Sequence, residues 1–180
     1  MDRKRVYVCG HSNGAVMAYM LAARYPEKLA GLGIVAGTMG VEDGKGKRWV
    51  IPEPKGAVPL IVFHGKEDLN LPYERVVAAS QSAEGAGGVT QTLGVKESVG
   101  MWVKANGCEG EAVVIKEEEV IRETYGPGKG KEGARVELVT VVHGNHMWPG
   151  AKAMEGKSQK PSKAVDATGE MWRFWGQAKE

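Results

Sequence analysis

The chain has 180 residues, with Lys+Arg 24 against Asp+Glu 22, a formal net charge of +2 and 42% hydrophobic residues. That length fits one domain, 1–180, with room for a sizeable core. So even a balance of charge gives no electrostatic case for a nucleic acid or an anionic membrane as partner. No stretch approaches the ~20 apolar residues of a membrane-spanning helix.

The first organised stretch runs from Arg5 to Gly14. Val6, Tyr7, Val8 and Cys9 make a short apolar, β-favouring run, as expected of a strand buried on both faces, with Cys9 as a small buried hydrophobe. Gly10-His11-Ser12-Asn13-Gly14 follows as G-x-S-x-G. Residues 15–24 then read as an Ala-rich helix with Met17, Met20 and Leu21 at helical spacing, stopped by Pro26. A serine on so sharp a strand-to-helix turn needs small residues two before and two after it. In return its hydroxyl stands clear of the sheet and the Asn13 N–H faces a developing oxyanion, helped by the positive end of the helix. The five-residue pattern also occurs in plain turns; the flanking strand and helix make it specific.

Residues 32–36 predict a second buried strand, and 40–57, rich in Gly and Pro, a loop. Residues 58–63 are a third strand, with Pro59 at its start because a mid-sheet proline loses a ladder hydrogen bond. The loop 64–72 leads to a helix near 73–82, then a Gly-rich connection over 83–93 and a helix over 98–106 with Val99, Trp102 and Val103 on one face. Cys108, at that helix end, is expected to be exposed. Residues 113–116 and 120–125 are strands; a turn over 126–133 and a strand over 134–142 complete an antiparallel hairpin. After the loop 144–150 and a polar stretch, Asp166 or Thr168 caps a last helix in which Met171, Trp172 and Trp175 share a face. The alternation defines an α/β class, a mostly parallel sheet flanked by helices with a late antiparallel hairpin. In such sheets ligand chemistry lies beyond the carboxyl ends of the strands, where Ser12 and the loops holding Asp68 and His146 fall.

A serine hydroxyl needs a histidine to take its proton and an acid to orient that histidine. The chain offers Ser12, then Asp68 or Glu67, then His143 or His146, which is the order serine, acid, histidine. Asp68 is preferred because its loop follows a buried strand; Glu67 and Asp43 read as surface charge. His146 is preferred because a Gly/Asn-rich loop frees it to reach Ser12, with Trp148 and Pro149 near enough to shield it. His143, still at a strand end, reads as a structural histidine. His11 packs in the elbow or lines the cleft as a substrate contact, and His64 hydrogen-bonds locally. Trp148 borders a pocket or simply packs. Scattered histidines without carboxylate or cysteine partners at ligand spacing argue against a metal. The Gly/Lys stretch 126–133 lacks the Ser/Thr and the helix of a phosphate loop, so no cofactor is called for. Two cysteines make no disulfide framework.

At these residues the chain resembles the secreted polyhydroxybutyrate depolymerase and feruloyl/acetylxylan esterase family of α/β-hydrolases. The likeness runs through Asp2-Arg3-Lys4-Arg5-Val6-Tyr7-Val8-Cys9-Gly10-His11-Ser12-Asn13-Gly14 with Met17-Ala18-Tyr19, and through Val35-Ala36-Gly37-Thr38. It continues in His64-Gly65-Lys66-Glu67-Asp68 with Pro72-Tyr73, in Ala105-Asn106-Gly107-Cys108, and in Gly144-Asn145-His146-Met147-Trp148-Pro149-Gly150. The resemblance implies Ser12 as nucleophile, Asp68 as acid and His146 as base, acting on polyester, feruloyl or acetyl ester substrates outside the cytoplasm, extracellular or periplasmic. It also implies a preceding half carrying the first strands and a second oxyanion donor, so a partial α/β-hydrolase fold is expected, without a signal peptide in these residues. The family often pairs the cysteine matching Cys108 with a later one, which this chain does not have. Two other expectations stand beside the esterase: a serine peptidase of the same fold, and a non-catalytic remnant or partner-dependent half-domain.

Overall fold

The computed structural model describes residues 5–43, 48–77, 89–127, 134–153, 155–156 and 159–177. In chain order the strands are β1 (Tyr7–His11), β2 (Gly31–Val35), β3 (Gly40–Asp43), β4 (Arg48–Val50), β5 (Leu60–Gly65), β6 (Val76–Val77), β7 (Val89–Thr92), β8 (Val113–Lys116), β9 (Val120–Tyr125) and β10 (Val136–Val141). The helices are α1 (Asn13–Arg24), α2 (Val95–Ala105) and α3 (Ala167–Gln177). A six-stranded sheet runs β1-β2-β5-β10-β9-β8. Its first four strands are mutually parallel, and β9 and β8 join antiparallel. This is the mixed, mostly parallel α/β sheet expected, with the antiparallel hairpin β9–β10 late in the chain.

β5 shows why the sheet is central. Leu60 and Val62 face one core with Tyr19, Ile34, Val99, Trp102 and Leu138, while Ile61 and Phe63 face another with Val139, Met171, Phe174 and Trp175. A run of six residues buried on both faces, LIVFHG, is the signature of a parallel strand covered by helices on either side. Each large side chain fully withdrawn from water there contributes about 1.5–3 kcal/mol. Asn106, just past α2, is fully buried and bonds both the N–H and the carbonyl of Val58, anchoring the approach to β5.

Several expectations need correction. β1 is only half-buried and Cys9 is exposed, because β1 is the outermost described strand on its side and β2 alone flanks it. The buried stripe of α1 is Ala15, Ala18, Tyr19, Ala22 and Ala23, whereas Met17 and Leu21 face outward. Small residues let α1 lie close on β1 and β2. Residues 40–57 are not all loop: β3 and β4 belong to a second, four-stranded sheet ordered β4-β3-β7-β6. Part of the predicted helix over 73–82 is instead β6, and the end of the Gly-rich connection is β7; 78–88 lie outside the described residues. Most of the turn over 126–133, and Asp2-Arg3-Lys4, also lie outside them.

α2 starts earlier than its apolar pattern suggested, since Glu97 reaches back to the Gly94 N–H at 2.8 Å and closes the first turn there. Asp166 caps α3 through the Gly169 N–H. The buried face of that helix is Met171, Phe174 and Trp175 at i, i+3 and i+4, leaving Trp172 64% exposed. Cys108 is partly buried, its thiol against the Ala134 carbonyl at 3.4 Å, and no disulfide joins it to Cys9.

Candidate active site

Ser12 sits between β1 and α1 with φ 55° and ψ −120°, a left-handed backbone that a serine adopts at a cost of about 1–3 kcal/mol. Backbone bonds on both sides hold it there. The Ser12 N–H donates to the Val35 carbonyl at 3.1 Å, and the Ser12 carbonyl accepts from Ala15 and Val16 at 2.9 and 3.1 Å. Gly10 is needed for this turn, because a Cβ there would stand 2.2 Å from the Gly14 carbonyl oxygen. Gly14 is not needed in the same way: a Cβ on it would meet nothing within 4 Å, so smallness is demanded before the serine and not after it. The Ser12 side chain makes no cap bond to α1 and is left to face across the sheet edge. The Asn13 N–H, first in the helix, has no intrahelical acceptor and lies at the helix's positive end.

The second wall is the loop after β5. Asp68 is 2% exposed. Its Oδ1 accepts the Asn70 and Leu71 N–H groups, each at 2.9 Å. Its Oδ2 faces the His146 Nδ1 at 2.8 Å. Burial pushes the Asp68 pKa up, but the bonds from His146 and Leu71 and the neighbouring His146 and His64 outweigh it and hold the carboxyl below its ordinary value. Behind it His64, 1% exposed, donates through Nε2 to the Leu71 carbonyl at 2.8 Å and lies 3.4 Å from Asp68 Oδ2. Burial lowers the His64 pKa against the opposing pull of the Leu71 carbonyl and the Asp68 charge, so this imidazole is neutral, with its bare Nδ1 enclosed.

The third wall is the loop after β10. It is drawn against the second by two glycines: a Cβ on Gly65 would stand 2.1 Å from the Gly144 carbonyl oxygen. The Glu67 N–H bonds that same carbonyl at 2.9 Å and the Lys66 N–H bonds Val141 at 3.0 Å. From this join His146 extends to Ser12, its Nε2 2.9 Å from Oγ. An ionised Asp68 can only accept, so His146 carries its proton on Nδ1 and its bare Nε2 accepts from the serine hydroxyl.

The structure therefore links Ser12, His146 and Asp68 in one chain of hydrogen bonds. The other candidates fall elsewhere. His143, just past β10, is exposed and pairs with Glu67 at 2.8 Å, which raises its pKa. Asp43 lies in β3 of the second sheet. His11 donates through Nε2 to the His146 carbonyl at 2.5 Å. Trp148 is edge-on to His11 at 6.5 Å, bonds Thr168 through its indole N–H at 3.0 Å, and packs against the core under α3. Among the described residues no group of three or more His, Cys, Asp or Glu is placed to hold a metal ion, and no helix is long and apolar enough to cross a membrane.

No protein-family profile matches the chain. Among curated proteins it is similar to "Putative esterase NocK" of Nocardia uniformis subsp. tsuyamanensis, with 28% identity over 162 residues, 83% of this chain and 44% of the relative. The chain thus spans less than half the length of that relative. The likeness supports an esterase in general terms and does not single out polyester depolymerases or feruloyl esterases.

Proposed function

We propose that this chain carries the active site of a serine ester hydrolase. The observation that carries the reading is the unbroken line from Ser12 Oγ through His146 to the buried Asp68 carboxylate. Ser12 Oγ attacks the ester carbonyl carbon while His146 Nε2 takes its proton. Asp68 holds the imidazole in the Nδ1–H form and stabilises the imidazolium. The Asn13 N–H stabilises the charge on the carbonyl oxygen. His146 then returns the proton to the departing alcohol oxygen as the carbon–oxygen bond breaks, leaving an acyl-serine. Water, deprotonated by the same Nε2, releases the acid and restores Ser12.

The substrates we propose are short hydroxyalkanoate polyesters or feruloyl and acetyl esters of plant polysaccharide, with Trp148 and His11 bordering the site; this finer reading rests on the motif resemblance. Initial rates on p-nitrophenyl acyl esters, a hydroxybutyrate oligomer, and feruloylated and acetylated xylan test it, with Ser12→Ala as the blank. Turnover of at least one ester above that blank is expected. Peptide cleavage without ester cleavage, or equal rates in the blank, overturns it.

A further inference from the structure

The last residue of β1, immediately before the nucleophile, is tied to the backbone of the base. His11 Nε2 lies 2.5 Å from the carbonyl oxygen of His146, and the two rings are 5.0 Å apart, tilted by 45°. A carbonyl only accepts, so His11 carries a proton on Nε2. Its placement is specific. The elbow is otherwise joined to the sheet through β2, and the base loop is joined to the acid loop through Gly144 and Glu67. Among the described residues, the hydrogen bonds that cross from the elbow directly to the base loop are the reacting Ser12–His146 pair and this one.

We infer that His11 is a positioning residue that fixes the base relative to the nucleophile by holding the His146 carbonyl, and not primarily a substrate contact. The inference rests on the reading of Ser12 and His146 as nucleophile and base. With the carbonyl held, the His146 backbone cannot swing away from the elbow when Oγ–H is not donating, as in the acyl-enzyme, where water must take the place of the hydroxyl. A misplacement of about 1 Å at such a point costs up to ~100-fold in rate.

The test compares His11→Gln, whose amide N–H falls near the position of Nε2, with His11→Leu, which has no donor. His11 is partly exposed, so both variants are expected to fold, which thermal unfolding checks. Steady-state rates on the best ester should show kcat down roughly 10- to 100-fold in His11→Leu, with KM unchanged and most of the rate restored in His11→Gln. Proton exchange at His146 Nδ1, read by NMR without any substrate, should be faster in His11→Leu and unchanged in His11→Gln. A raised KM with kcat intact in both variants makes His11 a substrate contact and overturns the inference. Identical exchange in wild type and His11→Leu also overturns it, whether or not the wild type turns over an ester. Absence of wild-type turnover with the exchange difference present leaves the clamp standing and removes the esterase reading.

Discussion

The two ends of the hydrogen-bonded line are built very differently. Asp68 and the root of the His146 loop hang from β5 and β10, adjacent strands buried on both faces and locked by backbone bonds and by the Gly65–Gly144 contact. Ser12 hangs from β1, half-buried, flanked by β2 alone among the described strands, with exposed Cys9 on it and exposed Met17 and Leu21 on the helix behind it. The Asp68–His146 half is thus over-determined by packing, whereas the Ser12 half relies on local turn geometry, a strained φ at Ser12 and a few bonds across the edge. Damage on the first side should act through stability and on the second through alignment.

The largest expected break leaves that packing alone and removes only the charge at the Asp68 end of the line. Asp68→Asn keeps size and burial but removes the charge and lets the side chain donate to His146, favouring the wrong tautomer. A fall of about 10⁴-fold in kcat is expected, the magnitude known from the same change in a serine protease. Circular dichroism should show an intact fold, so that the loss is read as chemistry.

Next in size is steric. Gly65→Ala drives a methyl group to 2.1 Å from the Gly144 carbonyl oxygen, backbone that cannot step aside. It should destabilise the protein by about 1–3 kcal/mol and lower Tm by several degrees. Gly14→Ala, whose Cβ meets nothing within 4 Å, should leave Tm nearly unchanged. Equal effects at the two glycines would mean that the close approach of Gly65 to Gly144 does not constrain the fold.

The smallest effect is a slope with pH. His64 is held below its ordinary pKa of 6.5, so between that value and its lowered folded value the unfolded chain binds a proton that the folded chain refuses. Stability should therefore fall as pH drops below 6.5, by at most about 1.4 kcal/mol per pH unit from this one group. His64→Gln, which keeps a donor for the Leu71 carbonyl, should flatten that part of the profile in urea melts. An unchanged slope would mean that His64 is free to protonate in the fold.

Much of the buried half was legible from the chain itself. β5 is an uninterrupted apolar run, the β9–β10 hairpin alternates, and the three side chains that the structure joins, Ser12, Asp68 and His146, are those that chain order and loop position single out. What was not legible depends on neighbours distant in sequence. That β1 lies outermost, and so exposes Cys9, is a property of the sheet and not of Val6–Cys9. β3, β4, β6 and β7 are two to four residues long, too short for a period to register against their Gly-rich surroundings. The α3 face differs from the apolar pattern because Trp172 looks as apolar as Phe174, yet the side shared by 167, 171, 174 and 175 leaves it out. His11 and His64 act on backbone carbonyls, partners that carry no residue-specific signal at all.

The central claim is that Ser12 is activated by this geometry, and intact mass after exposure to a fluorophosphonate tests it most directly. The account predicts one adduct on the wild-type chain and none on Ser12→Ala. A folded wild-type chain that takes no adduct, or an adduct that persists in Ser12→Ala, would contradict it.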